Sequence, residues 1–361
     1  MVVNFGAGPA KLPEEVLVEV QKEIVHHGTS GMSVMEMSHR GADYNKIHED
    51  TIKALQELLN IPDDYQILFL QGGGTGLFAA VCMNLMSRTG IADYIVTGAW
   101  SDKAAKEAAK YGQVNLVIPK TSKHCGIPDQ KTWKLDPNAS YLYYCDNETV
   151  HGVEFNFIPE TNGVPIVCDM SSNILSRKFD IRKFGMVFGG AQKNIGPAGI
   201  TVAIVRKDLI GNAMKICPSV LDFAVAAKEN SIHNTPPTFI IYVMGRVFEW
   251  IKRRGGVDAM YDASIKKSQM IYNEITRSAG FYSCPVQEDS RSRMNVPFRI
   301  AQGDDALEKA FLKGAEARKM VQLKGHRSVG GIRASLYNAV TIEEAETLAK
   351  YMREFFEEHK K

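Results

Sequence analysis

Two rhythms of apolar residues alternate along the chain. Short unbroken apolar runs have the length and composition of strands buried on both faces: YQILFL from Tyr65, ADYIVTG, VNLVIP, SYLYYC, VPIVCD ending at Asp169, MVFGGA from Met186 and ITVAIV after Gly199. Between them, apolar positions recur every three or four residues. PEEVLVEVQKEIV after Leu12, a second stretch from about Asp43 to Leu59, LFAAVCMNLM and SDKAAKEAAKYG all read as helices, the first with acidic residues in its opening turn. Strands alternating with helices predict an α/β fold with a mostly parallel sheet covered on both faces. In NSIHNTPPTFIIYVMGRVFEWIKRRGG, Thr235 reads as an N-cap with Pro236 at the first helical position, and the long apolar helix stops at Gly255-Gly256.

Past Gly256 the composition shifts. A helix (DAMYDASIKKSQMIYNEI), a strand (RMNVPFRI), a helix (LEKAFLKGAEARKM) and a strand (GGIRASLYN) lead to a last helix, whose Thr341 and Glu344 are spaced as a capping box. This predicts a small α+β domain. The expected division is an N-terminal arm over 1–15, a large domain over 16–256 and a small domain over 257–361.

Composition narrows the class. The 361 residues are 45% hydrophobic and 23% charged with a formal net charge of +2, so neither a nucleic-acid nor a membrane partner is expected. No apolar run approaches a membrane span, and MVVNFGAGPAKLPEE lacks the form of a signal peptide. The six cysteines are scattered without CxxC pairing, which points to reduced thiols in the cytoplasm and to no metal site.

Candidate chemistry gathers at strand ends. Lys193 stands in FGGAQKNIGPAG, a glycine-bounded turn between two strands that read as interior. One reading is a solvated loop lysine. The other is an amine held in a pocket to form a Schiff base with a carbonyl compound. Asp169 closes the strand before it, either as a turn former or as a carboxylate facing a pyridinium nitrogen. Gln71-Gly72-Gly73-Gly74-Thr75-Gly76 runs from a strand into a helix start, a place for an anion, although Gly74, Gly76 and Ala79 also match GxGxxA. Trp100 is expected at the C-terminal end of its strand, as local packing or as a platform for a flat cofactor. With Thr149, these residues share the sheet edge where α/β folds bind ligands. Arg333, inside an apolar strand, needs an anionic partner.

Taken together, NFGAGPAKLP, MEMSHRG, FLQGGGTG, VTGAWS, NETVHGVEF, CDMSSN, GGAQKNIGPAG, HNTPP and KGHRSVGGIRASLYNA carry a resemblance that runs nearly end to end. The sequence resembles the phosphoserine aminotransferases, class-V members of the fold-type I pyridoxal-phosphate enzymes. One departure is Ala7, where the family usually has proline. The resemblance implies a seven-stranded, mostly parallel sheet in the large domain. It implies Lys193 as the Schiff-base lysine, Asp169 as the partner of the ring nitrogen, Trp100 stacked on the ring and Thr149 on its hydroxyl. Gly74, Thr75 and Gln192 would surround the cofactor phosphate. Asn234 and Thr235 would reach that phosphate from the neighbouring subunit of a homodimer. His39, Arg40, His326 and Arg327 would hold the substrate phosphate, the first two across the interface, and Arg333 would clamp the α-carboxylate. The implied reaction moves an amino group between glutamate and 3-phosphohydroxypyruvate, giving phosphoserine and 2-oxoglutarate in serine biosynthesis.

Four rival readings fit less of the chain. Another fold-type I aminotransferase, with a different small oxo-acid substrate, would share Lys193, Asp169 and Arg333; a cysteine desulfurase needs a mobile nucleophilic cysteine, and none of the six sits in a suitable glycine/serine loop. A dinucleotide oxidoreductase resting on GxGxxA leaves Lys193, Trp100 and Asp169 unexplained. A scaffold without activity has no use for Lys193 and Asp169 together.

Overall fold

The structure is a computed structural model, and it describes residues 2–121 and 123–360. Met1 and Lys361, the extremes of the expected arm and small domain, lie outside the described residues.

The chain opens with strand β1 (Val3–Asn4) and continues through helices α1 (Glu14–Glu23) and α2 (Ala42–Leu59), β2 (Tyr65–Leu70), α3 (Gly73–Leu85), β3 (Ile91–Tyr94), α4 (Ala99–Ala108), β4 (Gln113–Leu116) and β5 (Leu142–Cys145). A short pair, β6 (Asn147–Glu148) and β7 (Val153–Glu154), precedes β8 (Ile166–Asp169), β9 (Met186–Gly190) and β10 (Thr201–Arg206). Helices α5 (Phe223–Lys228), α6 (Thr238–Arg253) and α7 (Gly256–Arg277) follow. The last part holds β11 (Tyr282–Ser283), β12 (Asn295–Ile300), α8 (Asp305–Ala317), β13 (Met320–Val321), β14 (Ile332–Ser335) and α9 (Ile342–His359).

The large sheet has seven strands in the order β2-β10-β9-β8-β5-β3-β4. Its neighbours from β9 to β4 run parallel, and β10 is antiparallel to both β2 and β9. The reversal follows from the loop at 191–200. It returns the chain without a crossover helix, and such a return makes an antiparallel pair. Strands β5, β8 and β9 are buried at every position, which explains their unbroken apolar runs. Asp169 pairs in register with Cys145 and Phe188, so the C-terminal ends of β5, β8 and β9 meet at one edge.

The three-stranded sheet β11-β12-β14 has its own apolar core, which includes Phe298, Phe311 and Phe355. The N-terminal stretch joins it. Val3 pairs with Met320, and Phe5 is fully buried in that core. The last helix opens as expected: Thr341 accepts from the Glu344 N–H, and Glu344 accepts from the Thr341 N–H.

Two expected placements change. Thr235 is not an N-cap, because α6 begins three residues later, at Thr238. Pro236 precedes Pro237, and a residue before proline is pushed out of helical conformation. Trp100 does not end a strand either. The β3 ladder stops at Tyr94, and Trp100 is the second residue of α4.

Candidate active site

A cavity of about 260 Å³ opens at the C-terminal edge of the large sheet. Gly72–Thr75, Trp100, Asn147, Thr149, Asp169, Gln192 and Lys193 line it, so the structure brings together residues from five separate stretches. The Lys193 loop forms its floor. The amine lies 2.7 Å from the Thr149 hydroxyl and 5.9 Å from the centre of the Trp100 ring. Lys193 is nearly buried, and burial, opposed by the nearby Asp169 carboxylate, pulls its amine down to about 8. A lysine held there carries a free amine in a usable fraction at neutral pH.

Asp169 is held rigidly. Its Oδ1 accepts from the Ser171 N–H at 2.8 Å and from the Ser171 hydroxyl at 2.6 Å, and Tyr143 donates to Oδ2 at 3.5 Å. Burial raises the carboxyl above its ordinary value, while the Ser171 bonds and the Lys193 charge oppose that rise. Ser171 in turn accepts from the Gly190 N–H at 3.0 Å, tying the ends of β8 and β9 together. Ser171 was missed in the sequence, although Asp-x-Ser at a strand end is the pattern of a side chain bonding its own backbone two residues on.

Glycine builds the opposite wall. Gly72 and Gly73 have φ of 104° and 62°, the left-handed region that glycine occupies freely, and they turn β2 into α3. The first N–H groups of α3 therefore border the cavity, where an anion is stabilised. Lys103, also unforeseen, reaches Thr75 Oγ1 at 3.0 Å from this rim. The N-terminal stretch packs against the Lys193 loop. Ala10 N–H donates to Gln192 O at 2.8 Å, and a side chain on Gly8 would meet Gln192 and Lys193. Ala7 offers its carbonyl to the Tyr337 hydroxyl at 2.9 Å, a bond that the family's usual proline also permits.

Arg333 is half-buried on β14 without the carboxylate that the sequence demanded. Its Nη1 donates to Thr149 O at 3.3 Å, and its buried Nε has no partner among the described residues. Burial pushes the guanidinium below its ordinary value. His326 and Arg327 lie in the preceding loop, and burial with the charges of Arg333 and Arg327 lowers His326. None of Arg333, His326, Arg327, His39, Arg40, Asn234 and Thr235 lines this cavity within one chain. His39 and Arg40 sit in the turn before α2, and Asn234 donates to Gln71 Oε1 at 3.0 Å while Thr235 follows it in the same loop.

The class-V aminotransferase family model matches residues 2–348. Phosphoserine aminotransferase of Drosophila melanogaster is 65% identical over 363 aligned positions and covers all of both chains. That of Paraburkholderia phymatum is 51% identical over 98% of each. The chain belongs to the phosphoserine aminotransferases. It is therefore a pyridoxal-phosphate-dependent transaminase of class V. Among solved structures, phosphoserine aminotransferase from Bacillus circulans subsp. alkalophilus superimposes with a TM-score of 0.96 at 45% identity, covering 99% of each chain. The pyridoxal-phosphate-bound enzyme from Trichomonas vaginalis gives 0.95 at 38%, covering 98% of this chain and all of that one.

The cavity suits the family's cofactor on its own terms. It offers an amine for the aldehyde, a buried carboxylate for a protonated ring nitrogen, an indole wall for a flat ring and helix N–H groups for a phosphate. The Trp100 indole N–H, buried without a partner among the described residues, is a further group awaiting one.

Proposed function

We propose that the chain transfers the amino group of glutamate to 3-phosphohydroxypyruvate, with Lys193 as the catalytic amine and Arg333 as the carboxylate clamp. The carrying observation is that Lys193, Asp169 and Trp100 share one cavity, while Thr149 touches both Lys193 and Arg333. Bound pyridoxal phosphate supplies an aldehyde that captures amines and a ring that takes up the electron pair left when an α-proton departs. Lys193, once its amine is free, would carry a proton between the substrate Cα and the cofactor's aldehyde carbon, in one direction on each half of the reaction. Thr149 orients that amine through its hydroxyl. Asp169 keeps a negative charge facing the ring nitrogen. Gly74, Thr75 and Gln192 hold the cofactor phosphate. Arg333 meets the substrate carboxylate with its fork, which answers its unpartnered Nε.

The reading extends to two copies of the chain. His326 and Arg327 take the substrate phosphate, joined by His39 and Arg40 of a second copy, whose Asn234 and Thr235 reach the cofactor phosphate. Residues 16–256 then form the cofactor-binding domain and 257–361 the small domain, with 1–15 as an arm. The enzyme works in the cytoplasm, in serine biosynthesis; no helix among the described residues is long and apolar enough to cross a membrane. The purified, cofactor-loaded protein should form phosphoserine and 2-oxoglutarate in equal amounts from 3-phosphohydroxypyruvate and glutamate. Conversion of non-phosphorylated hydroxypyruvate at equal kcat/KM overturns the substrate assignment.

A further inference from the structure

Glu148 is fully buried and has no cation beside it among its hydrogen-bond partners. Its carboxylate is bound instead by the start of α4. Oε2 accepts from the Trp100 N–H at 3.0 Å, and Oε1 accepts from the Ser101 N–H at 2.8 Å and the Ser101 hydroxyl at 2.6 Å. The space it occupies is made by Gly98, where a Cβ would lie 2.4 Å from the Glu148 carboxyl carbon. Burying a carboxylate is costly unless its oxygens are bonded, and a negative charge is best tolerated at a helix N-terminus. Glu148 also adjoins Thr149 on the chain, and Thr149 receives the Lys193 amine. One side chain thus joins the backbone of the indole wall to the residue beside the catalytic lysine.

We propose that Glu148 is a positioning residue that sets the Trp100 ring over the cofactor cavity by anchoring the first turn of α4 to the Thr149 segment. This rests on the reading of Trp100 as the wall against the cofactor ring. Glu148 does not itself line the cavity, and its bond to the Trp100 N–H is the contact through which it acts there.

The test is a double-mutant cycle read by pyridoxal-phosphate affinity, titrated into cofactor-free protein, and by the visible circular dichroism of the bound cofactor. Glu148→Gln keeps the shape but turns an NH2 toward backbone donors. Glu148→Gln and Trp100→Leu should each weaken affinity about tenfold or more and reduce the ellipticity per bound cofactor. The double variant should bind within about twofold of Trp100→Leu alone, since removing the anchor costs nothing further once the ring is gone. If Glu148→Gln does not fold, Ser101→Ala, which deletes one bond to the carboxylate together with the acceptor of the Thr97 and Gly98 N–H groups, should show the same coupling at smaller size. Unchanged affinity and ellipticity in Trp100→Leu overturn the reading of Trp100 itself. A change in Trp100→Leu but none in Glu148→Gln, or effects that simply multiply in the double variant, overturn the positioning role alone.

Discussion

Two lysines are buried among the described residues, and they differ in what surrounds them. Lys193 borders a cavity and bonds a single hydroxyl, the Thr149 Oγ1. Lys267, in α7, is 1% exposed and donates to the carbonyls of Tyr337 and Val340 at 2.7 and 2.8 Å. Burial pulls both amines down, to about 8 for Lys193 and about 7 for Lys267. A depressed pKa therefore does not mark the reactive lysine here. The marks are an adjoining cavity and donors left over after the protein's own acceptors are counted. Lys267 is a structural bridge from α7 to the turn ahead of α9.

Removing each amine gives the largest contrast. Lys193→Ala should lower turnover about a thousandfold or more with little change in urea unfolding, because the group acts only in the chemistry. It should also lose the visible absorbance of the lysine-linked cofactor. Lys267→Met keeps the volume and removes the donor, leaving the Val340 carbonyl unpaired. Turnover should stay within about threefold, while unfolding free energy falls by about 1–3 kcal/mol. Comparable turnover losses in the two variants would erase the distinction.

The two arginines near the site sharpen it at the next level. Arg333 lies on a strand with buried, unsatisfied nitrogen, whereas the Arg327 side chain is exposed in a loop. Arg333→Ala should lower kcat/KM for phosphoserine and for a non-phosphorylated amino acid alike, since both present a carboxylate. Arg327→Ala should cost about 30-fold or more with phosphoserine and far less with the other substrate. Equal losses for both substrates in Arg327→Ala would misplace the phosphate site.

What could be read in advance divides along the same line. Lys193 and Asp169 were legible because strand ends are marked by apolar runs that stop, and adjacent parallel strands put their ends together. The antiparallel return of β10 was not legible, since a buried strand shows the same unbroken run in either direction. Glu148 and Ser171 were hidden for different reasons. Glu148 works on backbone 47 positions away, which no local spacing encodes, and it looked like part of a strand end. Ser171 acts two residues from Asp169, a local signal overlooked beside the aspartate itself. His39, Arg40, Asn234 and Thr235 entered as site residues through resemblance alone, and a single chain leaves them out of the cavity lining.

The smallest predicted effect follows from the proton on Lys193. An unfolded lysine holds its proton to about pH 10.4, whereas the buried amine releases it near 8. Between those values the unfolded chain binds more protons, so the cofactor-free protein gains stability as pH rises through that window, and Lys193→Met should flatten part of the gain. The kinetic consequence has the same origin. A protonated amine cannot attack an aldehyde, so the rate at which cofactor-free protein captures pyridoxal phosphate should rise with the free-amine fraction. From pH 7 to pH 8 that fraction grows about fivefold, then levels off instead of climbing toward pH 10. Stopped-flow absorbance across pH 6.5–9.5 reads this directly. Lys267 provides the control, because Lys267→Met removes the other depressed amine and should leave the midpoint of capture where it was. A midpoint near 10, or one that moves with Lys267, would mean that burial of Lys193 does not prepare it for the reaction.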